Sequence, residues 1–408
     1  MRLLHVSDWH VGLTTGVFAR RRDHEAIVAE IAAIVRDRSP DLILHTGDLF
    51  HSQYPGVDDM RFGIEALLEL SALAPMVVVR GNHDSDRLFS VFDSLLGASS
   101  RLRFIATPAN LGDETVDPIR RYEAADGSRI ALAAIPFVHA NRFLAHMHDA
   151  DQRTSTFADR LGFYERNLGA ILLKSLDAAR DVAIFASHQY IGGALKSGSE
   201  RPLHVADEYA TRATDLPSVS YAAFGHIHRP QLIPAGCIAR YAGSPIQIDF
   251  GEEGERKSVV FVDARPMRAP LVEIISLSGG RELKTISVDF DAIASLAPRV
   301  QGALCRLTVR TQTAVPELAT LVAEALPGAE FVEIVEDCAA TRTFAVESGK
   351  DAARRDEATL ADLFAEYLTG RPPVRADARR VNAEFERLRL AADAGIPFNV
   401  PELELGET

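Results

Sequence analysis

Five times along this chain a short apolar run stops at a turn carrying Asp, Asn or His. Leu3 to Val6 runs into Ser7-Asp8, Asp41 to His45 into Gly47-Asp48, and Met76 to Val79 into Gly81-Asn82-His83. Val182 to Ala186 runs into Ser187-His188, and Ser220 to Phe224 into Gly225-His226. Between them apolar residues recur at helical spacing, so 23–36, 58–73, 87–96 and 158–179 read as helices, and 130–135 as a further strand. Strands alternating with helices predict a layered α/β domain. In open α/β sheets, ligands sit beyond the carboxyl ends of the strands, so these polar turns should converge on one rim.

Composition narrows the class. The 408 residues suffice for roughly two or three domains with a sizeable core. With 47% hydrophobic and 25% charged residues, a disordered chain, a collagen-like fibre and a coiled-coil rod are excluded. Cys237, Cys305 and Cys338 form no CxxC pair, which argues against a zinc finger or a secreted disulfide framework and for a reducing, cytoplasmic compartment. The start, MRLLHVSDWH, has no apolar signal-peptide core, and no run of 18 apolar residues predicts a membrane span. The net charge of -13 excludes gripping long nucleic acid by charge alone. Any such contact must be local, carried by metal, or supplied by a partner.

Past Gly243 the helices stop. Residues 258–262 and 271–275 read as strands of the far sheet of the same domain, joined by a turn at 263–270. A boundary is expected near 277–280. A compact α+β unit follows, with strands at 283–288, 303–309 and 330–335 and a helix at 316–326. From 351 the pattern changes. Leu360, Leu363, Phe364, Tyr367 and Leu368 follow i, i+3, i+4, i+7, i+8; Val381, Phe385 and Leu388 follow i, i+4, i+7; Gly370 to Pro373 joins the two. That is a helical hairpin with one apolar stripe, docked on its own domain or on a partner.

The polar turns carry the chemistry. Asp8-x-His10 and His226-x-His228 place side chains two apart, which point the same way from extended backbone. Glycines at 47, 81 and 225 let the chain turn tightly. Oxygen and nitrogen donors without thiolate suit Mn²⁺, Fe²⁺ or catalytic Zn²⁺. Two ions about 3.5–4 Å apart need a bridging ligand, and Asp48, a lone carboxylate between the other segments, is the natural bridge. Such a pair would clamp a phosphate and acidify a water for phosphoester hydrolysis. Singly, each motif has a bland reading: DxH as chance, GNHD as a turn, GHIH as a core pair. All five in this order, each at a strand end, leave little room for that.

The order DxH, GD, GNHD, H, GHxH resembles that of the calcineurin-like metallophosphoesterase superfamily. More narrowly, SDWH at 7–10, GDLFH at 47–51 and GNHDS at 81–85 resemble its double-strand-break repair nucleases, the family of SbcCD nuclease subunits. The resemblance implies a four-layer α/β/β/α sandwich over 1–278, a small α+β capping domain over 279–350 and a C-terminal helical partner-binding segment over 351–408. It implies a phosphodiester hydrolase with two divalent ions, usually Mn²⁺. Such enzymes are 3′→5′ exonucleases on duplex ends and endonucleases on single strands and hairpins, acting in DNA repair, recombination and replication. The implied partners are DNA, a second copy of the chain, and an SbcC-like coiled-coil ATPase in a heterotetramer at the nucleoid. Carried over motif by motif, Asp8, His10, Asp48 and His228 hold one ion, and Asp48, Asn82, His188 and His226 the other. His83 binds no metal but protonates the leaving 3′ oxygen, with Asp84 orienting its ring. Two rivals remain: a small-molecule phosphodiesterase or phosphatase of the same superfamily, and a catalytically dead scaffold. The extra module and hairpin argue against the first, the intact ligand set against the second.

Other residues carry blander expectations. His51 lies near the site by sequence and is open between supporting the site, touching substrate and a surface role. His5, His24, His45, His139, His146, His148 and His204 have no such setting. Trp9 is expected to pack. Arg20 to Arg22 read as a solvated face, or as a DNA-backbone contact in a nuclease. The polar loop KSGSER at 196–201 reads as a phosphate-backbone contact or simply as a mobile loop, and the cysteines read as inert. Leu88, Val91, Phe92, Leu95 and Leu96 read as core, to which the resemblance adds a dimer interface shared with 60–73.

Overall fold

The computed structural model describes residues 1–97, 99–113, 115–138, 156–197, 200, 210–340, 364, 368 and 378–393. The chain forms two compact units, Met1–Arg310 with Pro316–Glu336, and Thr311–Val315 with Asp337–Thr408.

Two six-stranded sheets make the body of the first unit. In one, β14 (Leu271–Ser276), β13 (Ser258–Asp263), β1 (Arg2–Val6), β4 (Leu42–His45), β5 (Met76–Val79) and β6 (Leu102–Ile105) lie side by side in that order. In the other the order is β11 (Gln231–Ile233), β12 (Ala239–Tyr241), β10 (Tyr221–Gly225), β9 (Asp181–His188), β8 (Arg129–Ile135) and β7 (Arg120–Glu123). Strands β1, β4, β5 and β6 are parallel, as are β8, β9, β10 and β12. Their carboxyl ends therefore open on one side.

Period-two alternation explains why these strands read as unbroken apolar runs. Both faces are buried. Leu4, Val6, Ile43, Met76 and Val78 face helices α1 (Arg21–Arg38), α2 (Val57–Leu73) and α3 (Asp86–Leu96). Their neighbours Leu3, Leu42, Leu44, Val77 and Val79 meet Ile130, Leu132, Val182, Ile184 and Tyr221 between the sheets. Ala131, Ala133, Phe185 and Phe224 face outward onto α4 (Phe157–Lys174). The result is the expected α/β/β/α order. Each fully buried aliphatic side chain contributes about 1.5–3 kcal/mol.

Several expectations are corrected. Residues 258–276 do not build a far sheet; β13 pairs antiparallel with β1 and extends the N-terminal sheet. The second sheet is completed instead by β7, β11 and β12, which are short and partly charged and carry no clear periodicity. Helix α4 ends at Lys174, not 179. There the Asp177 carboxylate accepts from Ala179 N–H (3.0 Å), and Asp181 accepts from Asp177 N–H (2.8 Å), trading helix for turn. On α3 it is Phe89 that is buried, whereas Val91 and Leu95 face solvent.

Arg20 is not solvated. It is fully buried, donating to Asp23 (2.6 Å), to the Gln247 carbonyl (2.9 Å) and to the Arg281 carbonyl (3.1 Å). Arg281 in turn binds Asp23 (2.7 Å) and Glu330 (2.9 Å). This network ties to the sandwich a three-stranded sheet of β15 (Glu282–Asp289), β16 (Ala303–Thr311) and β17 (Glu330–Cys338), backed by α5 (Leu318–Ala325). Its elements match the expected α+β unit, although α5 begins later than 316 because Glu317 is left-handed. Arg21 stacks on Phe62 (4.3 Å) and pairs with Asp59 (2.7 Å).

In the second unit, α6 (Ala378–Asp393) carries Phe385, whose ring stacks on Phe364 at 3.9 Å and 17°. Phe364 and Phe385, one from each stretch of the expected hairpin, thus meet. Leu360, Leu363, Tyr367 and Gly370 to Pro373 lie outside the described residues.

Glu165 on α4 is buried in the outer core of the second sheet, and neither carboxyl oxygen has a hydrogen-bond partner. Burial, then the charge of Asp215, pushes its pKa up to about 8 despite Arg166. The folded state therefore holds this proton more tightly than the unfolded chain. Its stabilising contribution is full below the normal glutamate range and is lost as pH rises toward 8. Urea melts are expected to show a loss of a few kcal/mol across that window, flattened by Glu165→Met. A wild-type-minus-variant difference independent of pH would refute this.

Candidate metal centre

The strand ends do converge. The turns after β1 and β4 lie side by side, with Asp8 N–H donating to the Gly47 carbonyl (2.9 Å) and His10 N–H to the Asp48 carbonyl (3.0 Å). Asp8, His10, Asp48 and His226 adopt left-handed φ of 52°, 51°, 53° and 98°. Such conformations cost about 1–3 kcal/mol each and collect where side chains must be aimed. The three motif glycines, Gly47, Gly81 and Gly225, are sterically required. A Cβ at Gly81 would lie 2.1 Å from Asp48 Oδ1, and one at Gly225 would lie 2.1 Å from the Thr46 carbonyl oxygen.

All seven residues expected as ligands meet at this rim, buried. Asp8, His10 and His228 bring donor atoms within 4.8 Å of one another, and so do Asp48, His188 and His226. Asp48 Oδ2 lies between the trios, 3.7 Å from His10 Nε2 and 3.4 Å from His188 Nε2. Asn82 Oδ1 is 2.9 Å from His188 Nε2 and 2.8 Å from His226 Nδ1. Nitrogens Nε2 of His10 and His228 face each other at 3.2 Å. Donors around one ion at bond lengths of about 2.0–2.2 Å sit roughly this far apart. Oxygen and imidazole donors without thiolate therefore fit divalent ions, and Asp48 stands where a bridge would.

The charges at this rim are unevenly shared. Burial raises Asp48, but His188, then His83, outweigh it and hold its carboxylate well below the usual range. Burial lowers His188, but Asp48 lifts it to about 9. Burial takes His10 well below its ordinary value against the pull of Asp48. Asp8 is pushed up to about 6 by burial, despite His188 and His228.

His83 stands half-buried at the mouth, its ring 4.8 Å from that of His10. Its Nδ1 lies 2.8 Å from the His51 carbonyl oxygen, and its N–H donates to Asp48 Oδ1 (2.7 Å). A carbonyl only accepts, so Nδ1 carries hydrogen, and the ring joins His10 and His51 in bringing donor atoms within 4.8 Å of one another. This corrects the part expected of Asp84. Its carboxylate does not orient the His83 ring; it accepts from the main-chain N–H of Gly81 (2.8 Å), Phe50 (2.9 Å) and Leu49 (3.2 Å). The turn buries Asp84 and leaves His83 half-buried beside His10. Asp84 thus pins the turns that carry Asp48 and Asn82. Burial, then the charge of Asp48, raises it to about 7.

His51 supports the site twice, through that carbonyl and through Nδ1, 3.4 Å from His10 Nδ1. Trp9 packs in the core as expected, edge-on to His45. The set-aside histidines that can be seen are structural. His5 bridges Tyr221 and Thr46 (2.9 Å each), and His24 binds the Trp9 carbonyl (2.6 Å). His139, His146, His148, His204 and, within KSGSER, Gly198, Ser199 and Arg201 lie outside the described residues. Sequence reasoning missed Glu252 and Lys257. Glu252 Oε1 is 3.1 Å from His228 Nδ1, and Oε2 is 2.7 Å from Lys257 Nζ. Nothing in GEEGERK signals it, because the contact spans two separate turns.

Fold and site together define a calcineurin-like phosphoesterase, and the model of the calcineurin-like phosphoesterase family matches residues 1–230. The chain is 33% identical over 292 residues to the SbcD subunit of the nuclease SbcCD from Bacillus subtilis (strain 168), covering 69% of this chain and 71% of that one. The protein of the same name in Rhodobacter capsulatus is 26% identical over 350 residues (80% and 84% covered), and that of Escherichia coli K12 is 25% identical over 301 residues (72% and 73%). The chain belongs to the SbcD family of SbcCD nuclease subunits.

Proposed function

We propose that this chain is a Mn²⁺-dependent DNA nuclease, a 3′→5′ exonuclease on duplex ends and an endonuclease on single strands and hairpins. The observation that carries the reading is Asp48 Oδ2 between two buried donor trios, with His83 at the mouth. Asp8, His10, Asp48 and His228 would hold one ion, and Asp48, Asn82, His188 and His226 the other. When bound, such ions neutralise phosphate charge and acidify a water at neutral pH. The rest is done by side chains. In its doubly protonated form His83 keeps Nδ1–H on the His51 carbonyl and gives the Nε2 proton to the leaving 3′ oxygen, returning as the neutral Nδ1–H ring. Asp84 keeps the two turns in register through main-chain N–H groups.

The names of the relatives support a role in DNA end processing beside an SbcC-like ATPase. In this reading 1–278 is the nuclease domain, 279–350 caps it, and 351–408 binds the ATPase. Two copies pair through exposed apolar residues of α2 and α3, among them Leu68, Val91 and Leu95. Among the described residues no helix is long and apolar enough to cross a membrane, which is compatible with a cytoplasmic, nucleoid-associated place.

The test is cleavage by the purified chain with Mn²⁺ and then Mg²⁺, on 3′-labelled duplex, a hairpin and a small aryl phosphodiester. Mn²⁺-dependent cutting of DNA supports the nuclease. Cleavage of the aryl ester with DNA untouched, even with the ATPase present, hands the site to a small-molecule phosphodiesterase. Deleting 351–408 is expected to spare intrinsic cleavage and to end co-purification with the ATPase; an unchanged pull-down would sink that assignment.

A further inference from the structure

His228 is held from behind by a buried charge pair that the proposed ligand sets do not use. Its Nε2 faces His10 Nε2 at 3.2 Å, and so points into the trio of Asp8, His10 and His228. Its other ring nitrogen, Nδ1, lies 3.1 Å from Glu252 Oε1. An ionised carboxylate only accepts, so Nδ1 carries hydrogen and Nε2 offers its lone pair to the trio. Glu252 ends a short 3₁₀ turn, Phe250–Glu252, and is fully buried. Its Oε2 accepts from Lys257 Nζ (2.7 Å) and from Ile248 N–H (3.0 Å). Lys257 Nζ also donates to the main-chain carbonyl of His228 (3.1 Å) and pairs with Glu255 (3.0 Å). The pair thus grips His228 at both ring and backbone. His188, in the other trio, has its Nδ1 on a neutral main-chain carbonyl instead, that of Thr46 at 2.7 Å.

A buried ion pair is a poor source of stability, because both charges lose their hydration. A carboxylate behind a ligating imidazole has another use: it fixes the tautomer and aim of the ring and makes it a stronger donor. We propose that Glu252, held by Lys257, is a positioning residue for the ion of the Asp8–His10–His228 side and sets that ion's affinity apart from its neighbour's. The inference rests on the metal-centre reading above and adds a difference between the two ion sites.

The test is calorimetric titration of the metal-free full chain with Mn²⁺, comparing wild type with Glu252→Gln and Glu252→Asp, with thermal melts as fold control. Gln keeps an acceptor but drops the charge; Asp keeps the charge but withdraws it by one methylene. Wild type is expected to bind two ions. Glu252→Gln is expected to hold one as before and the other about 10–100-fold more weakly, with Glu252→Asp between. Two ions of unchanged affinity in folded Glu252→Gln, or an equal loss at both sites, overturn the proposal. A wild type that binds no Mn²⁺ overturns the metal-centre reading and the proposal with it. If neither variant folds, ring ¹⁵N spectra of the Zn²⁺-loaded wild type decide. The Nδ1–H tautomer at His228 is required, and an Nε2–H tautomer refutes it.

Discussion

His83→Ala is expected to lower phosphodiester cleavage by about 10²–10⁴-fold while the divalent ions stay bound. The imidazole belongs to neither assigned trio, although its ring lies 4.8 Å from that of His10. Nδ1 is committed to the His51 carbonyl, and the ring stands at the mouth rather than in the buried floor. Removing it deletes the proton donor for the leaving oxygen and leaves Asp8, His10, Asp48, Asn82, His188, His226 and His228 in place. The main-chain N–H that binds Asp48 Oδ1 survives the substitution. Metal content and cleavage rate, measured on one preparation, separate the outcomes. Loss of metal would make His83 a ligand. Full cleavage of an activated aryl ester, whose leaving group needs no proton, with DNA cleavage lost would locate the defect at proton transfer.

Asp48→Asn is expected to act on both ions at once. Its carboxylate is the group between the two trios, and its Oδ1 also receives the His83 N–H. An amide of the same size keeps one oxygen but loses the charge that balances His188. Metal content is expected to fall below that of wild type, and cleavage by about 10³-fold or more, since charge stabilisation by bound ions is worth several kcal/mol. Asp8→Asn is the informative partner variant, because Asp8 brings its donor atom to one trio and meets the other only through the main-chain N–H of His226 (3.1 Å). If it impairs both ions equally and Asp48→Asn impairs only one, the bridge has been placed on the wrong carboxylate.

The glycines of this site bear on how it tolerates change. Gly81 has no room for a Cβ because Asp48 Oδ1 and the Asp48 main-chain nitrogen occupy the space, at 2.1 and 2.2 Å. Both atoms are fixed by the site itself, so neither can move aside. Backbone closeness of this kind is a condition of bringing carboxylate, amide and imidazole within one ion's reach.

Much of this was legible in the residues alone. Alternation of apolar runs with helical segments determined the α/β class, because a strand buried on both faces must be apolar throughout, as Met76 to Val79 is. The polar turns marked the candidate donors, because those side chains stop apolar runs where nothing in a core would want them; their assignment to two ions came with the family resemblance. What the residues could not determine depends on distance in space. The pairing of β13 with β1 joins segments far apart in the chain, and neither strand carries a mark of its partner. Arg20 looks solvated in a basic run until Asp23 and Arg281 enclose it. Asp84 follows His83 directly, yet its carboxylate takes main-chain N–H groups while the His83 ring takes the His51 carbonyl, so adjacency in sequence misled. Glu252 meets His228 only because the loop that follows β12 folds back under the rim. Local pattern determines what a residue can become; its partner is decided only when the chain closes on itself.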